Sequence, residues 1–484
     1  MTYKKLSLKE NPMQLPLVQK VLAQAHARNQ NAYLVGGYVR DILWFGESRK
    51  TATDLDFAVA GTRALDFAKT FAEDNSTQEN EAHYVVLDES FDTARVVFDD
   101  GVYLDFAGCI GGSIETDLRR RDFTVNALAF DAAKPEYVLD LFNATDDIEK
   151  RIIRAISKSG LSDDPLRLLR AFRFKATLNA QIEPQTMEWI EELSSSIDTV
   201  AAERINAEMF ILLNAQRAGE IVNELGKTGL LESIYAELRD TRRVTPNDYH
   251  HLNLFDHSVE TVHQLEENLH RLPDWARESS DEQLSHGVTK LAATKLAALL
   301  HDIGKPGTWE INEEGRHTFY GHDSKGADMA DLMGERLKWS KPVSRFISKL
   351  IQWHLRPGAL FHQGFPTEKA IYRFYRKMGD DLPQLIALAL GDLGATCGEG
   401  LPEPSRAVLA DQMIDLLYGY KPFVEESAAK PRFLNGQDVM RLLNLEPGPM
   451  IGEILDALAE AQGLKQVLDR PTAERFVFEY MAKK

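Results

Sequence analysis

The spacing of hydrophobic and polar positions divides the chain into two parts. Up to about residue 150, short apolar or alternating runs between Gly, Asp and Asn residues are typical of β-strands. The turn Asp99-Asp100-Gly101 joins the last two runs into a hairpin. Helical spacing appears over 39–44 and 64–73. The pattern predicts a small mixed sheet with one or two helices on a face and with strands at 32–35, 54–60, 83–87, 94–98 and 102–106.

The apolar residues of the remaining chain follow the helical period almost to its end. The predicted fold class is therefore α+β, with a small-sheet head followed by an all-α neck, a further helical domain and a helical tail. Sparse Pro and Gly residues mark breaks near 160–165, 244–248, 356–366 and 420–436. Together with the family resemblances described below, these breaks give the predicted domain ranges 1–150, 151–245, 246–400 and 401–484.

Composition narrows the class of protein. The chain has 484 residues, of which 44% are hydrophobic and 27% charged, as in ordinary soluble proteins with sizeable cores. Its net charge of −18 argues against a chain that coats itself in nucleic acid or anionic membrane. Two cysteines, Cys109 and Cys397, make a disulfide framework or a cysteine zinc site unexpected. Without a signal-peptide core or an apolar run of about 18 residues, we expect a cytoplasmic enzyme and no membrane partner.

Two aspartates on one predicted strand are the strongest chemical feature. Asp54 and Asp56 are two residues apart, so their carboxylates project from the same face of the strand. Two such carboxylates can bind a pair of Mg²⁺ ions about 3.5–4 Å apart, the arrangement used for in-line phosphoryl transfer. The preceding Gly36-Gly37 turn suits a bound triphosphate. The alternative is two solvated acids at the end of a strand.

Two basic segments follow the predicted sheet. The run Arg119-Arg120-Arg121 suits a triphosphate because guanidinium groups pair bidentately with phosphate oxygens. Its alternative is a solvated start to a core helix. Further along, Asp163-Asp164-Pro165 predicts a helix that begins with an acidic N-cap. The helix carries four charged residues, each three apart and so along one side, at Asp164, Arg167, Arg170 and Arg173.

An Asp and an Arg on one helix face form a possible base-reading pair. Asp164 can accept from the amino group of a base, and Arg167 can donate to a ring nitrogen or carbonyl. The surrounding residues 150–175 contain eight cations and two acids, and therefore offer a basic track for RNA in an acidic chain. A surface ladder of salt bridges is the alternative interpretation.

A third cluster lies in the helical half. It mixes imidazole and carboxylate groups, which suits a borderline transition metal. A single helical histidine is more often structural, but the adjacent pair His301-Asp302 at a helix end favours a site. The candidate ligands are His257, His301, Asp302, His322, His354 and Asp392.

Four ordered motifs carry a resemblance to a known family. They are LVGGYVRD (34–41), DLDF (54–57), RRDFTVNA (120–127) and DDPLRLLRAFRF (163–174). These segments resemble the class II tRNA nucleotidyltransferases, which include the CCA-adding enzymes, and the related bacterial poly(A) polymerases. A weaker match, Ala202-Glu203-Arg204-Ile205 with Glu208, follows them.

The resemblance implies a role for each matching residue. Asp54 and Asp56 would hold Mg²⁺, with Asp105 as a third carboxylate and as the base for the primer 3′-hydroxyl. Asp122 and Asn126 would shape the pocket for ribose and phosphate. The other residues implied to bind the nucleotide are Gly36, Gly37, Arg40, Arg120 and Arg121 around the triphosphate, and Asp164, Arg167, Arg170 and Arg173 around the base.

The histidine cluster resembles the HD phosphohydrolase superfamily over residues 250–395. That resemblance implies a first metal bound by His257, His301, Asp302 and Asp392, with His322 and His354 completing a two-metal pattern. The metal would be a divalent transition metal of unspecified identity. Lys305 would face a substrate phosphate, and the expected reaction is hydrolysis of a phosphomonoester or a 2′,3′-cyclic phosphate.

A short connection between motifs refines the expected activity. Only residues 106–119 separate the last predicted strand of the head from the Arg-Arg-Asp motif, where CCA-adding relatives have a longer segment. This shortening resembles the CC-adding subgroup, so we expect the enzyme to add two C residues to the tRNA 3′ end from CTP. The alternatives are a complete CCA-adding enzyme that also uses ATP, a poly(A) polymerase, and a phosphohydrolase with a degenerate RNA-binding head. No obligatory protein partner is expected.

Overall fold

The computed structural model describes residues 3–5, 11–46, 54–245, 252–362, 364–396, 402–429 and 432–483. The chain forms two compact units, Met1–Ala201 with Thr228–Ser233, and Ala202–Lys227 with Ile234–Lys484. The division into four predicted domains stays a prediction, and residues 246, 400 and 401 at its boundaries lie outside the described ranges, as does Cys397.

The first unit contains an eight-stranded mixed sheet in the order β1-β8-β7-β2-β3-β6-β5-β4. Strands β3 and β6 run parallel, while the other neighbouring pairs run antiparallel. The strands are β1 (Tyr3–Lys5), β2 (Asn31–Val35), β3 (Asp54–Ala60), β4 (Ala82–Asp88), β5 (Thr93–Phe98), β6 (Tyr103–Gly108), β7 (Leu128–Asp131) and β8 (Tyr137–Asp140). The α+β fold class and the mixed sheet predicted from the sequence are thus confirmed.

Three strands of this sheet escaped the sequence pattern. β1 has three residues, and β7 and β8 have four each, too few for a clear alternation. β7 is also buried at its first three residues, so its apolar run resembles a piece of core helix. The segment before it forms a 3-10 helix at Thr124–Asn126 and not an α-helix.

Within the described residues up to 201, eight α-helices surround the sheet or follow it. The Phe106 ring, 1% exposed, packs against Phe57 at 5.5 Å and against two rings of the third helix, Phe67 and Phe71, at 5.5 and 5.6 Å. The helices are α1 (Pro16–Ala27), α2 (Gly36–Phe45), α3 (Ala64–Asn75), α4 (Ile114–Arg119), α5 (Ala144–Glu149), α6 (Lys158–Asp163), α7 (Leu166–Leu178) and α8 (Pro184–Leu193).

The predicted all-α neck is interrupted by one small strand pair. β9 (Ile152–Ile153) and β10 (Gln181–Ile182) pair in parallel beside α7. Two-residue strands cannot produce a periodic signal in the sequence, which explains why the pattern missed them.

The remaining chain is almost entirely helical, as predicted. Its helices are α9 (Ala202–Asn214), α10 (Ala218–Thr228), α11 (Leu230–Ile234), α12 (Leu238–Thr241), α13 (Leu254–Asn268), α14 (Asp274–Glu278), α15 (Lys290–Leu300), α16 (His322–Arg336), α17 (Lys341–Trp353), α18 (Arg356–Ala359), α19 (Glu368–Met378), α20 (Leu382–Ala395), α21 (Glu403–Ala429), α22 (Gly436–Leu443), α23 (Pro449–Gly463) and α24 (Arg470–Ala482). Two short hairpins add β11 (Gln283–Ser285) with β12 (Val288–Thr289), and β13 (Glu310–Ile311) with β14 (His317–Thr318).

Helix α20 lies at the centre of this helical core and packs against α13. A Cβ atom at Gly391 would lie 2.7 Å from the carbonyl oxygen of Thr261 on α13, so only glycine allows this approach. Among the described residues, none of the helices combines the length and apolar character that a bilayer-spanning helix requires.

The aromatic packing under the sheet gives the first testable prediction. Phe106→Ala removes a buried ring and leaves a cavity, so we expect it to lower the free energy of unfolding of the head by about 3–5 kcal/mol. The matched control is Phe91→Ala, because Phe91 is 65% exposed and should cost less than about 0.5 kcal/mol. Denaturant unfolding measures both, and equal effects would contradict this packing.

Candidate functional sites

Three carboxylates meet on one face of the sheet in the first unit. Asp54 and Asp56 lie two residues apart on β3, and Asp105 lies on β6 directly opposite Asp56. Each of the three offers one oxygen, and these oxygens all lie within 4.8 Å of one another. Like charges this close are stable only with a compensating cation or proton, and oxygen ligands of this kind suit Mg²⁺. The structure therefore brings together the three acids selected from the sequence.

Helix α2 begins against this cluster. Gly36 has φ of +77°, and a Cβ atom there would lie 2.1 Å from Oδ2 of Asp56, so glycine is needed both for the conformation and for space. The backbone N–H of Gly37 donates to Asp56. Burial, with the negative charges of Asp54 and Asp105, still raises the pKa of Asp56 above its usual value. The Gly-Gly pair, predicted as a turn, forms the first two residues of the helix.

Two arginines beside the acids are held by a polar network. Arg40 donates from Nη1 to Oδ1 of Asn126 at 3.0 Å, and Asn126 donates in turn to Asp122 at 2.8 Å. Arg121 donates to the backbone oxygen of Asn126 at 3.0 Å and pairs with Asp117 at 3.1 Å. These half-buried guanidinium groups could neutralise a triphosphate. The neighbouring Arg120 is exposed.

The four charged residues predicted along α7 divide into two groups: Arg170 and Arg173 contact other parts of the protein, and Asp164 and Arg167 lie at the start of the helix. Arg170 pairs through Nη2 with Oδ2 of the buried Asp122 at 2.7 Å. Burial opposes ionisation of Asp122, but Arg170 and the donors around it hold its pKa below the usual value. Arg173 lies over the Phe174 ring at 3.9 Å, which favours a role in packing. Both arginines, predicted to support phosphate or base, therefore have protein partners here.

Asp164 and Arg167 sit at the start of α7. Their closest charged atoms are 4.0 Å apart, too far for a hydrogen bond. Arg167 Nη1 donates to the backbone oxygen of Gly160 at 3.1 Å, which fixes the guanidinium plane. The predicted acidic N-cap is wrong, because Pro165 occupies the cap position and no side chain caps the helix. Of the salt-bridge ladder considered from the sequence, the pair of Asp164 and Arg167 is present at 4.0 Å, whereas Arg170 pairs with Asp122.

The second cluster joins five helical segments of the second unit. Asp302 lies at its centre, with Oδ2 3.1 Å from Nε2 of His301 and Oδ1 3.2 Å from Nε2 of His322. Asp392 places Oδ1 3.1 Å from Nε2 of His257. His354 completes the group, with Nε2 3.7 Å from Oδ1 of Asp302. All six residues selected from the sequence are thus brought together.

Hydrogen bonds fix the orientation of three imidazoles. Nδ1 of His301, His322 and His354 lies 2.6–2.7 Å from the backbone oxygen three residues earlier in each case. Nδ1–H therefore donates to that oxygen, and Nε2 faces the carboxylates. Histidines that bind metals are commonly oriented in this way.

The charges of this cluster fit a bound cation. Both oxygens of Asp302 are buried, and Nε2 of His301 and Nε2 of His322 lie close to them. Burial opposes charge on His301, but Asp302 and Asp392 outweigh it and raise its pKa to about 10. Burial and the charge of His301 lower the pKa of His354 to about 4. Mixed imidazole and carboxylate donors suit a divalent transition metal. Lys305, expected to face substrate phosphate, places Nζ 2.5 Å from Asp302.

One residue at the first site was missed from the sequence. Arg95 on β5 contacts Asp105 through both of its carboxylate oxygens. In the hairpin centred on Asp100, residues at equal distances before and after Asp100 lie opposite each other, as Arg95 and Asp105 do. The position of the turn in the sequence could therefore have predicted this contact.

Family models match most of these regions. Residues 32–154 match the Poly A polymerase head domain, residues 179–241 match the probable RNA and SrmB- binding site of polymerase A, and residues 254–389 match the HD domain. This combination defines a nucleotidyltransferase with an HD domain.

Curated relatives resemble the chain over nearly its whole length. The A-adding tRNA nucleotidyltransferase of Deinococcus radiodurans is 34% identical, covering 92% of this chain and 94% of its own. The CC-adding tRNA nucleotidyltransferase of Thermus thermophilus is 30% identical, covering 93% of each. A solved CCA-adding enzyme of Thermotoga maritima in complex with tRNA shares the fold, with a TM-score of 0.66 at 18% identity over 99% of this chain and 100% of that one. The chain belongs to the tRNA nucleotidyltransferase family.

The contact between Gly36 and Asp56 gives the second prediction. Gly36→Ala would push the carboxylate out of the cluster, so we expect nucleotide incorporation to fall at least about 100-fold. Gly46→Ala is the matched control, because Gly46 ends the same helix at φ of +71° but has nothing within 4 Å of its Cβ position. Both variants carry similar backbone strain. Equal activity of the two variants would contradict the role of this contact.

Proposed function

We propose that this enzyme adds CMP residues from CTP to tRNA 3′ ends and does not complete the terminal A. The observation that supports this proposal is the connection between β6 and the Arg-Arg-Asp motif. After β6 it forms a 3-10 turn at Ile110–Gly112 and then α4, whose N-cap Ser113 accepts from the backbone N–H of Thr116. Ile114 and Leu118 of α4 are 2% and 0% exposed and pack into the head.

A connection anchored in the core limits base selection. Two side chains that must bind cytosine first and adenine next have to change their orientation between the two additions. Such a change requires a neighbouring segment of the chain that can shift at low energetic cost. Burial of Ile114 and Leu118 anchors α4 in the head and shortens the part of this connection that can shift. The pair Asp164 and Arg167, which we propose as the base-selecting residues, therefore keeps one setting and accepts one kind of nucleotide.

The residues of the head are suited to phosphoryl transfer. We propose that Asp54 and Asp56, with Asp105, hold two Mg²⁺ ions; such ions, when bound, stabilise charge on the attacking and leaving oxygens. Arg40 and Arg121 would neutralise the triphosphate and orient it against these acids. Gly37 would contribute the backbone at the start of α2, where N–H groups and the helix dipole favour phosphate. Asp122 and Asn126 would keep Arg40 and Arg170 in place.

Addition of a single A is a second candidate function. The A-adding relative from Deinococcus radiodurans is more similar to this chain than the CC-adding relative from Thermus thermophilus, at 34% against 30% identity. The anchored connection is compatible with one setting for adenine as well as for cytosine. The base accepted by Asp164 and Arg167 therefore decides between the two candidates.

The third prediction separates these activities by their products. With a tRNA that lacks its 3′ end, we expect CTP to extend the chain by two residues, and ATP to add nothing before or after CTP. The readout is product length and terminal base on a sequencing gel. A product ending in A would contradict CC addition. If ATP extends only a tRNA that already ends in CC, and CTP extends neither substrate, the A-adding candidate is correct.

We further propose that the cluster around Asp302 is a phosphohydrolase site. A divalent metal bound there would activate water for attack on phosphorus. The close approach of these donors supports this assignment, since one donor atom from each of His257, His301 and Asp392, and one from each of His301, Asp302 and His354, lie within 4.8 Å of one another. Phosphomonoesters and 2′,3′-cyclic phosphates are the proposed substrate class.

The fourth prediction concerns Asp302→Asn. Loss of the central negative charge should lower bound transition metal, measured by mass spectrometry, and reduce cyclic phosphate cleavage by at least about 100-fold. Nucleotide incorporation by the head should stay within about twofold, because its proposed acids lie in the first unit and Asp302 lies in the second. Asp328→Asn, an exposed acid on α16, is the control. Unchanged metal content in the Asp302 variant would contradict the assignment.

A further inference from the structure

Arg95 occupies a specific position on the sheet that carries the proposed catalytic acids. It lies on β5 directly opposite Asp105 on β6, and Asp105 lies directly opposite Asp56 on β3. Directly opposed residues project from the same face of a sheet. Asp56, Asp105 and Arg95 therefore form one row across three neighbouring strands.

The contact between Arg95 and Asp105 is bidentate. Nε donates to Oδ1 at 2.7 Å and Nη2 donates to Oδ2 at 2.8 Å. The guanidinium carbon lies 4.3 Å from the ring centre of Tyr103, which precedes Asp105 by two residues on β6. Stacking on the ring and pairing with the carboxylate together hold the guanidinium plane. Asp105 and Tyr103 together therefore prevent the guanidinium group of Arg95 from rotating.

This contact restricts where Asp105 can point. Its oxygen lies within 4.8 Å of oxygens from Asp54 and Asp56, so electrostatic repulsion favours rotation of Asp105 away from them. A bidentate fork opposes that rotation and offsets one of the three negative charges. Each carboxylate oxygen has two lone pairs, and the fork uses one of each. Asp105 therefore keeps lone pairs available for a cation while its orientation is fixed.

We propose that Arg95 is a positioning residue, which holds Asp105 in the orientation needed to complete the cation site with Asp54 and Asp56. This inference rests on the proposed roles of the three acids. The side chains of Arg95 and Asp105 are 35% and 25% exposed. Partly exposed pairs contribute little to folding stability. The contact should therefore act on the reaction more than on the fold.

The test compares Arg95→Gln with Arg95→Lys in the full-length enzyme. We expect Arg95→Gln to lower kcat by about 10–100-fold, as for small misplacements of a reacting group, with KM for CTP and tRNA changed less than about threefold. Arg95→Lys keeps the charge but loses the fork, so an intermediate loss is expected. Mn²⁺ titration followed by electron paramagnetic resonance, without tRNA, should show weaker cation binding in the same order. Thermal unfolding should match the wild type.

The control variant is Arg28→Gln, which breaks a surface pair with Asp74 at 3.1 Å in the same unit. A double-mutant cycle adds Asp105→Asn, and the double variant should be no worse than Asp105→Asn alone. Losses that add, or an Arg95→Gln effect no larger than that of Arg28→Gln, would overturn the inference. Asp54→Asn is measured in parallel. If it stays active, the proposed catalytic acids are wrong; if it is inactive while Arg95→Gln is normal, only the inference about Arg95 fails.

Discussion

The parallel pairing of β3 with β6 is the constraint on which the first site depends. It sets Asp56 against Asp105 and leaves Asp54 on the same face. It also concentrates negative charge where burial already raises the pKa of Asp56. The neighbouring elements respond to this charge: α2 brings a backbone N–H, β5 brings Arg95, and the segment after α4 brings Arg121. These groups partly balance the negative charge of the three acids.

In the second unit, buried polar side chains are also held close together, but by histidines and by backbone oxygens. Asp302 is buried among imidazoles, and three of these histidines are oriented by backbone oxygens of their own helical segments. Orientation by local hydrogen bonds means that each Nε2 is aimed before any ligand arrives, which lowers the entropic cost of binding. The first site relies instead on strand register. Strand register in the first site and hydrogen bonds within helical segments in the second are thus two ways of fixing closely spaced polar side chains.

The sequence predicted the parts of the fold that have strong local signals. β3 at Asp54–Ala60 matches the predicted strand, and the hairpin through Asp100 confirms the expected turn. The strand Leu128–Asp131 was missed because it is short and buried on both faces, so nothing in its pattern distinguishes it from a helix. The residues of both clusters were selected correctly as groups that meet in space: Asp54 and Asp56 by their spacing, Asp105 through the family resemblance, and the histidine cluster by its mixed imidazole and carboxylate chemistry.

Contacts across elements were less accessible to sequence reasoning. Arg170 was expected on the basic face of α7, yet it turns to Asp122, which lies far away in the sequence. The Arg170 side chain is long, and the partner that a long cation reaches depends on tertiary packing. For Arg95, in contrast, the register of the hairpin would have predicted its contact with Asp105.

The central claim is that Asp54, Asp56 and Asp105 form a cation site for the incoming nucleotide. Anomalous diffraction from crystals grown with Mn²⁺ and a non-reactive CTP analogue tests it directly, because Mn²⁺ substitutes for Mg²⁺ at oxygen ligands. The account predicts anomalous peaks about 2.1–2.3 Å from oxygens of Asp54 and Asp56, with the triphosphate bridging to them. Ordered nucleotide elsewhere in the head, with no manganese at these carboxylates, would contradict it.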